Sequence, residues 1–356
     1  MSGEPRGDAV GPESRKWIAV APWPALVMAS IYTGFLAVNL QRLVAAINVS
    51  SDAAWAPVLV NDLANGPRGG LIKVGQAAHF TTLWLLSVTR PLPFRQLFWT
   101  ASPFLLFLAT AALVSWAAAR TAGRWAGLLT LSVSLCAGPG ILLTSLPQGL
   151  RGHTWFAGAV LSALLVWASR GQLPFRLAAP AFLAGGILAG ATAASDPLFW
   201  AAGLLPFLGA ALFGWLLAPM ARTKVLLVYT AGAFAVAALV AVAVGNWAES
   251  AGYRKTYMAG GVSFADLPQI PRNLKFLAGN VLMLFNGYFF DRPVGFLSVA
   301  SVVLAVLSVS LLVWSVRWMA LRIGRRAQDA DDPRMVVLMC YWGLAGVSTC
   351  GTVALT

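Results

Sequence analysis

Long apolar runs separated by polar connectors make up most of this chain. A helix needs about 20 mostly apolar residues to cross the hydrocarbon core of a bilayer, and runs from about 17 residues qualify. Such runs predict nine spans, at 17–40, 97–118, 125–146, 153–169, 178–195, 197–219, 224–245, 293–315 and 335–355. The pattern therefore predicts an all-α, polytopic membrane protein with about nine transmembrane helices.

Two connectors are much longer than the others, at residues 43–96 and 246–292. Long structureless loops are uncommon unless they are functional. Within the first connector, the apolar segment 79–88 is too short to span, and it predicts an amphipathic helix lying at the membrane interface. The second connector holds a similar segment, 274–290, which favours a re-entrant or juxtamembrane helix. A tenth span is the alternative, which the asparagines and the short length of this segment disfavour.

Basic residues mark every second short connector. Arg120 and Arg124 separate spans two and three, and Arg170 and Arg176 separate spans four and five. Because short cytoplasmic loops are rich in Lys and Arg, the alternation predicts a cytoplasmic N-terminus and places both long connectors outside. The formal net charge of +13 follows from the same bias, so we expect no nucleic-acid partner.

The composition agrees with a membrane protein of the bacterial cell envelope. The chain is 59% hydrophobic and 10% charged, whereas a soluble domain carries about 25% charged residues. Arg far outnumbers Lys, and Ala, Gly and Val are abundant, as is usual in GC-rich bacterial genomes. We therefore expect a multi-pass protein of the bacterial cytoplasmic membrane.

These boundaries divide the chain into four parts. Residues 1–16 form a cytoplasmic tail, and 17–245 form a seven-span module that includes the outer loop 43–96. The second outer loop covers 246–292, and two further spans lie in 293–356. The sequence stops directly after span nine without a polar cap, which leaves a genuine terminus and a truncated chain both open.

The acidic residues stand at the ends of the spans. No ionisable residue lies near the middle of a predicted span, which weakens a proton-coupled transporter reading, because such groups mark ion and proton pathways. Asp52 and Asp196 lie close to the outer ends of spans one and five. Each also has a structural interpretation as a helix cap, and Asp196 stands directly before Pro197, a favoured arrangement at a helix start.

The outer connectors also carry basic residues that suit a phosphate group. Lys73, Arg90, Arg95 and Arg151 are the candidates, since Arg offers forked, charge-assisted hydrogen bonds and Lys offers a point charge. Contact with lipid headgroups is the alternative role of these cations. His153 is a further candidate for a catalytic role beside the acids. The alternative is a purely structural role for this histidine.

Metal and disulfide chemistry have little support in the sequence. The three cysteines lie in apolar runs without metal-ligand spacing, so we predict neither a disulfide framework nor a zinc site. A divalent metal at Asp52, His79 and His153 stays open, although no spacing signature favours it. We expect no required cofactor.

The outer face thus combines the parts that glycosyl transfer from a polyprenyl-phosphate sugar needs. A carboxylate can deprotonate an acceptor hydroxyl, the sugar passes through an oxocarbenium-like transition state, and cations stabilise the departing phosphate. Asp52, Asp196 and His153 are the predicted catalytic residues. The predicted partners are the lipid bilayer, a polyprenyl-phosphate sugar, and a glycan, lipid or protein acceptor.

At residues 15–292 the arrangement resembles the GT-C superfamily of integral-membrane glycosyltransferases. The resemblance rests on an inside N-terminus, one span, a long first outer loop opening with the Asp of SSDAAW, and seven spans before a second long outer loop. It implies that Asp52 is the catalytic acid/base residue. Many members pair two acids in the first loop and carry another between spans three and four; here Ser51 precedes Asp52, and that later connector holds no acid.

Three functional interpretations follow. The first is a GT-C-type glycosyltransferase acting at the outer face. In it, Asp196 would substitute in space for the acid that the connector between spans three and four lacks. The second is a lipid or glycan transporter or flippase, for which the hydroxyls of span three, such as Ser132, would line a polar path. The third is a non-catalytic GT-C-like membrane subunit.

Overall fold

The structure of the protein is a computed structural model. It describes residues 22–47, 59–61, 72–74, 79–135, 151–169, 175–217, 219, 221–255, 266–275, 337–338 and 340–345. Predicted span eight and most of span nine lie outside these ranges, as do Asp52 and nearly all of the segment 274–290.

The described part of the chain is almost entirely helical. Its helices are α1 (Pro22–Val38), α2 (Leu40–Ile47), α3 (Phe80–Thr89), α4 (Arg95–Ala122), α5 (Arg124–Leu135), α6 (Gly152–Ala168), α7 (Phe175–Ser195), α8 (Leu205–Leu217) and α9 (Ala221–Ser250). A π-helical turn, Trp200–Leu204, leads into α8, and β1 (Ile72–Val74) and β2 (Tyr253–Lys255) form a short two-stranded sheet. Residues 269–275 are also helical.

Four of these helices are long and apolar enough to cross a membrane. Within the described residues they are Arg95–Ala122, Arg176–Ser195, Trp200–Leu217 and Ala221–Ser250, and they coincide with predicted spans two, five, six and seven. The chain is therefore a helical protein of membrane type. The total of nine spans and their orientation remain predictions.

The other predicted spans are represented by shorter helices or lie outside the described residues. Spans one and four correspond to the apolar helices Leu26–Val38 and Gly152–Ala168, and α5 covers the first part of span three. In the ninth predicted span, residues 337–338 and 340–345 are helical.

The core of the bundle forms where α7 packs along α9. Glycines allow the two helices to approach closely: a Cβ at Gly186 would lie 2.7 Å from the Ala233 carbonyl oxygen, and one at Gly190 would lie 2.8 Å from Val240 Cβ. α6 contacts α7 on one side and α4 on the other, and α4 packs in turn against α5. This order places the start of α6 next to the end of α7.

The two long connectors meet at one end of the bundle. β1, from the first connector, pairs in parallel with β2, from the second, and the register aligns Ile72 with Tyr253. The Phe80 ring, at the start of α3, also stacks edge-on against Trp247 and Tyr253, with centroids 6.4 Å and 6.1 Å away. We call this end, where α3 begins and α9 finishes, the loop end.

The helix predicted at 79–88 is confirmed, since α3 covers Phe80–Thr89. Its buried side includes Leu83 and Leu86, while Trp84 on the other side is 63% exposed. Trp84 and Val88, which are 63% and 54% exposed, are side chains of the type that an interfacial helix presents to lipid. Its position at the membrane surface remains a prediction.

Candidate functional site

Asp196 lies at the loop end, in the corner between α7 and the π-helical turn. Its Oδ1 accepts a hydrogen bond from the Leu198 N–H at 3.2 Å, and its backbone carbonyl accepts from the Phe199 N–H at 2.9 Å. The carboxylate therefore takes up an N–H group that would otherwise have no partner at the start of this helical segment. The capping role that the sequence suggested for Asp196 is present in the structure.

The second carboxylate oxygen of Asp196 connects this corner to the start of α6. The Thr154 hydroxyl donates to Oδ2 at 2.9 Å, and Arg151 Nε lies 3.7 Å from the same oxygen. The Asp196 side chain is 3% exposed, whereas that of Arg151 is 45% exposed. At 3.7 Å the pair is longer than a charge-assisted hydrogen bond, so Asp196 orients the guanidinium without saturating its five donors.

Both histidines join the same cluster. The rings of His79 and His153 stack with their centroids 5.1 Å apart and their planes 27° apart. His79 Nε2 lies 3.1 Å from Thr154 Oγ1, and His153 Nδ1 lies 3.2 Å from the Thr82 hydroxyl. We call His79, Arg151, His153, Thr154 and Asp196 the polar cluster.

The hydrogen bonds of the polar cluster have a defined direction. A carboxylate only accepts, so the single hydroxyl proton of Thr154 points to Asp196. Thr154 Oγ1 must then accept from His79, which assigns the proton of that imidazole to Nε2. The resulting relay runs from His79 through Thr154 to Asp196, and each bond polarises the next in a buried setting.

A contact with the end of α7 stabilises the start of α3. The Phe80 N–H, one of the N-terminal donors of α3, donates to Ser195 Oγ at 3.1 Å, and Ser195 Oγ donates to the Ala191 carbonyl at 2.7 Å. The last turn of α7 therefore receives the first turn of α3. This contact positions His79 beside the start of α6.

The predicted phosphate ligands lie at three different places. Arg151 belongs to the polar cluster, but Arg90 and Arg95 lie beyond the other end of α3, which has ten residues and is therefore about 15 Å long. Arg95 Nη1 donates to the Arg90 carbonyl at 3.2 Å. Lys73 lies in β1, in register with Arg254 of β2. The structure thus places Arg151, and not Arg90 or Arg95, beside Asp196.

Of the three predicted catalytic residues, the structure brings Asp196 and His153 together, and Asp52 lies outside the described residues. In the ranges that are described, no group of three His, Cys, Asp or Glu side chains is placed to hold a metal ion. The possible metal site at Asp52, His79 and His153, which the sequence left open, includes a residue outside those ranges and is not tested by the structure.

Sequence reasoning missed the hydroxyl residues that connect the cluster. Thr154 and Ser195 each stand next to a residue that the sequence singled out, His153 and Asp196 respectively. Adjacency to these residues was the available signal. It is weak, because Thr and Ser are common in apolar helices and usually bond to their own backbone.

This arrangement leaves the cation of Arg151 partly exposed and keeps the anion of Asp196 buried. Asp196 uses both oxygens within the protein, which suits a positioning role better than direct proton transfer. The half-exposed Arg151 guanidinium is the group that an anionic ligand would meet first. No family model, curated protein or solved structure matches this chain.

Proposed function

We propose that the chain is a membrane glycosyltransferase of GT-C type. It transfers a sugar from a polyprenyl-phosphate donor to an acceptor at the outer face of the bacterial cytoplasmic membrane. One observation carries the proposal: the Asp196 carboxylate accepts from Thr154 at 2.9 Å and lies 3.7 Å from Arg151. A carboxylate thereby comes to the connector before span four, where many members of that superfamily carry an acid and this sequence has none.

The proposed roles follow from burial and charge. Asp52, in the first connector, acts as the base that deprotonates the acceptor hydroxyl. Arg151 binds the donor phosphate and stabilises its departure, and the buried Asp196 holds Arg151 in place. His153 lies against His79 with its rings stacked and supports the wall of the site.

The meeting of the two long connectors supports the same proposal. β1 and β2 pair across them, and Phe80 packs between Trp247 and Tyr253. Glycosyl transfer requires donor and acceptor to be held together in a near-attack geometry. Two connectors joined above one polar cluster supply a frame for two substrates.

The alternatives differ in what supports them. The full engagement of Asp196, which is 2% exposed, favours a non-catalytic subunit, because the same contacts would serve stability alone. The structure gives less support to a flippase. The Ser132 hydroxyl donates to the Leu128 carbonyl of its own helix at 2.9 Å and does not contribute to a polar path between helices.

The test compares Asp52→Asn with the native chain in membranes supplied with radiolabelled polyprenyl-phosphate sugars. We expect the substitution to lower transfer by about 100-fold or more, the usual contribution of a general base. Asp62→Asn, the other acid of the same connector, is the matched control and should leave transfer unchanged. Transfer by Asp52→Asn at the native rate would remove Asp52 from the mechanism.

Arg151→Gln tests the proposed role of Arg151 in binding the donor phosphate, and the activity of the native chain separates the enzyme from the non-catalytic subunit. In the enzyme it should raise the KM for the lipid donor, since the group that meets the phosphate is lost. A native chain that transfers no sugar from any polyprenyl-phosphate donor, although it is folded, would refute the proposal and favour the subunit.

A further inference from the structure

An apolar groove opens on the side of the bundle between α4, α6 and α7. Its cavity has a volume of about 390 Å³, and it is lined by Leu113, Trp116, Val160, Leu164, Trp167 and Ala181, among others. The α6 residues recur at the spacing of one helix face. Seven residues separate Val160 from Trp167, so the groove runs for about 10 Å along α6, towards the end of the bundle opposite the polar cluster.

One arginine side chain lies against a residue that lines the groove. Trp116 lines it, and the guanidinium of Arg120, one turn further along α4, lies 5.8 Å from the Trp116 ring centroid. Arg120 is exposed, as is Arg176 in the first turn of α7. By the basic alternation of the connectors, this end faces the cytoplasm.

No acid within these helices balances the two arginines. The sequences of α4, α6 and α7 contain neither Asp nor Glu, and the acids Asp196 and Glu249 belong to the loop end. An apolar groove with a cation at one end, between helices that carry no acid, complements a molecule with an acyl chain and an anionic head. Basic pockets between cytoplasmic helix ends bind anionic phospholipids for this reason.

We propose that this groove binds an anionic phospholipid of the inner leaflet. One acyl chain lies along Leu113, Trp116 and Leu164, and the lipid phosphate lies at the Arg120 guanidinium. The indole of Trp116 holds the Arg120 guanidinium at the mouth of the groove by a cation–π contact. This site lies on the opposite side of the membrane from the polar cluster and does not depend on the proposed glycosyl transfer.

The test uses the full chain in vesicles of phosphatidylcholine doped with brominated lipid, which quenches nearby tryptophans. Brominated phosphatidylglycerol should quench more than brominated phosphatidylcholine. Because the chain has 15 tryptophans, the quenching that belongs to the groove is obtained by subtracting the quenching of a variant without the two groove tryptophans from that of the native chain. The excess quenching should disappear in the double variant Trp116→Phe, Trp167→Phe.

Two further variants test the binding of the lipid headgroup and of the acyl chain separately. Arg120→Gln should weaken phosphatidylglycerol binding about fivefold, the factor for one Arg against an anionic lipid surface. Its matched control, Arg222→Gln, removes an exposed arginine at the start of α9, away from the groove, and should not change binding. Ala163→Phe fills the groove, which Ala163 also lines, and should abolish the excess quenching while both arginines remain.

Equal quenching by the two brominated lipids in the native chain would overturn the proposal. Undiminished excess quenching in Ala163→Phe would place the lipid elsewhere and overturn it as well. If Ala163→Phe does not fold, the comparison of Arg120→Gln with Arg222→Gln decides alone. Equal affinity of these two variants for phosphatidylglycerol would then overturn the proposal.

Discussion

Replacing Asp196 by alanine should destabilise the bundle more than any exposed acid would. The substitution removes the acceptor of the Leu198 N–H and of the Thr154 hydroxyl. Loss of a helix cap costs about 1 kcal/mol, and loss of a hydrogen bond to a buried charged group costs about 1.5–3 kcal/mol. The ion pair with the half-exposed Arg151 adds less than about 1 kcal/mol. We expect a loss of about 3 kcal/mol in the free energy of unfolding.

The measurement is unfolding by SDS titration from mild detergent micelles, followed by helical circular dichroism. A double-mutant cycle of Asp196→Ala with Thr154→Val then isolates the contact between the two side chains. Its coupling energy should be about 1 kcal/mol, near the upper part of the range for hydrogen bonds inside membrane proteins. Asp266→Ala is the control, because Asp266 is exposed.

Two results would refute this reasoning. A loss below about 0.5 kcal/mol for Asp196→Ala would match a surface substitution and would show that the carboxylate does not cap. Additive effects of Asp196→Ala and Thr154→Val, with a coupling energy near zero, would show that the two side chains do not bond.

The packing and hydrogen bonding of the bundle give two further predictions for the same SDS titration. Gly190→Ala should cost about 1–3 kcal/mol, because its Cβ would press on the α9 backbone and on Val240, whereas Gly232→Ala, with open space around it, should be neutral or stabilising. Tyr341→Phe should cost about 1 kcal/mol, since the buried hydroxyl donates to the Gly158 carbonyl at 3.1 Å; an unchanged unfolding midpoint would contradict that bond.

The sequence predicts the positions of the long helices well, because both hydropathy and span length reflect the thickness of the bilayer. It predicts their ends less well. The run 224–245 becomes the helix Ala221–Ser250, and 97–118 becomes Arg95–Ala122. Polar residues such as Arg222 and Asn246 end an apolar run but do not break a helix. The π-helical turn at Trp200–Leu204 has no counterpart in the apolar pattern.

Sequence reasoning named four of the five residues of the polar cluster, all except Thr154, but not how they contact one another. Asp196 and His153 stand out because ionisable residues are scarce in this chain. The hydrogen bond from Thr154 to Asp196 and the stacking of His153 on His79 depend on how α3, α6 and α7 pack together, which hydropathy does not contain. The separation of Arg90 from Arg151 has a similar cause, since only the length and direction of α3 place Arg90 about 15 Å from the cluster.

The pairing of β1 with β2 also has a consequence for the order of assembly. The paired residues Ile72 and Tyr253 are about 180 positions apart, and a ribosome adds about 5–20 residues per second. β1 is therefore synthesised about 10–40 seconds before β2, and the intervening helices enter the bilayer during that interval. Until then α3 can pack only against helices already made, so the two long connectors pair only after the helices between them have been synthesised.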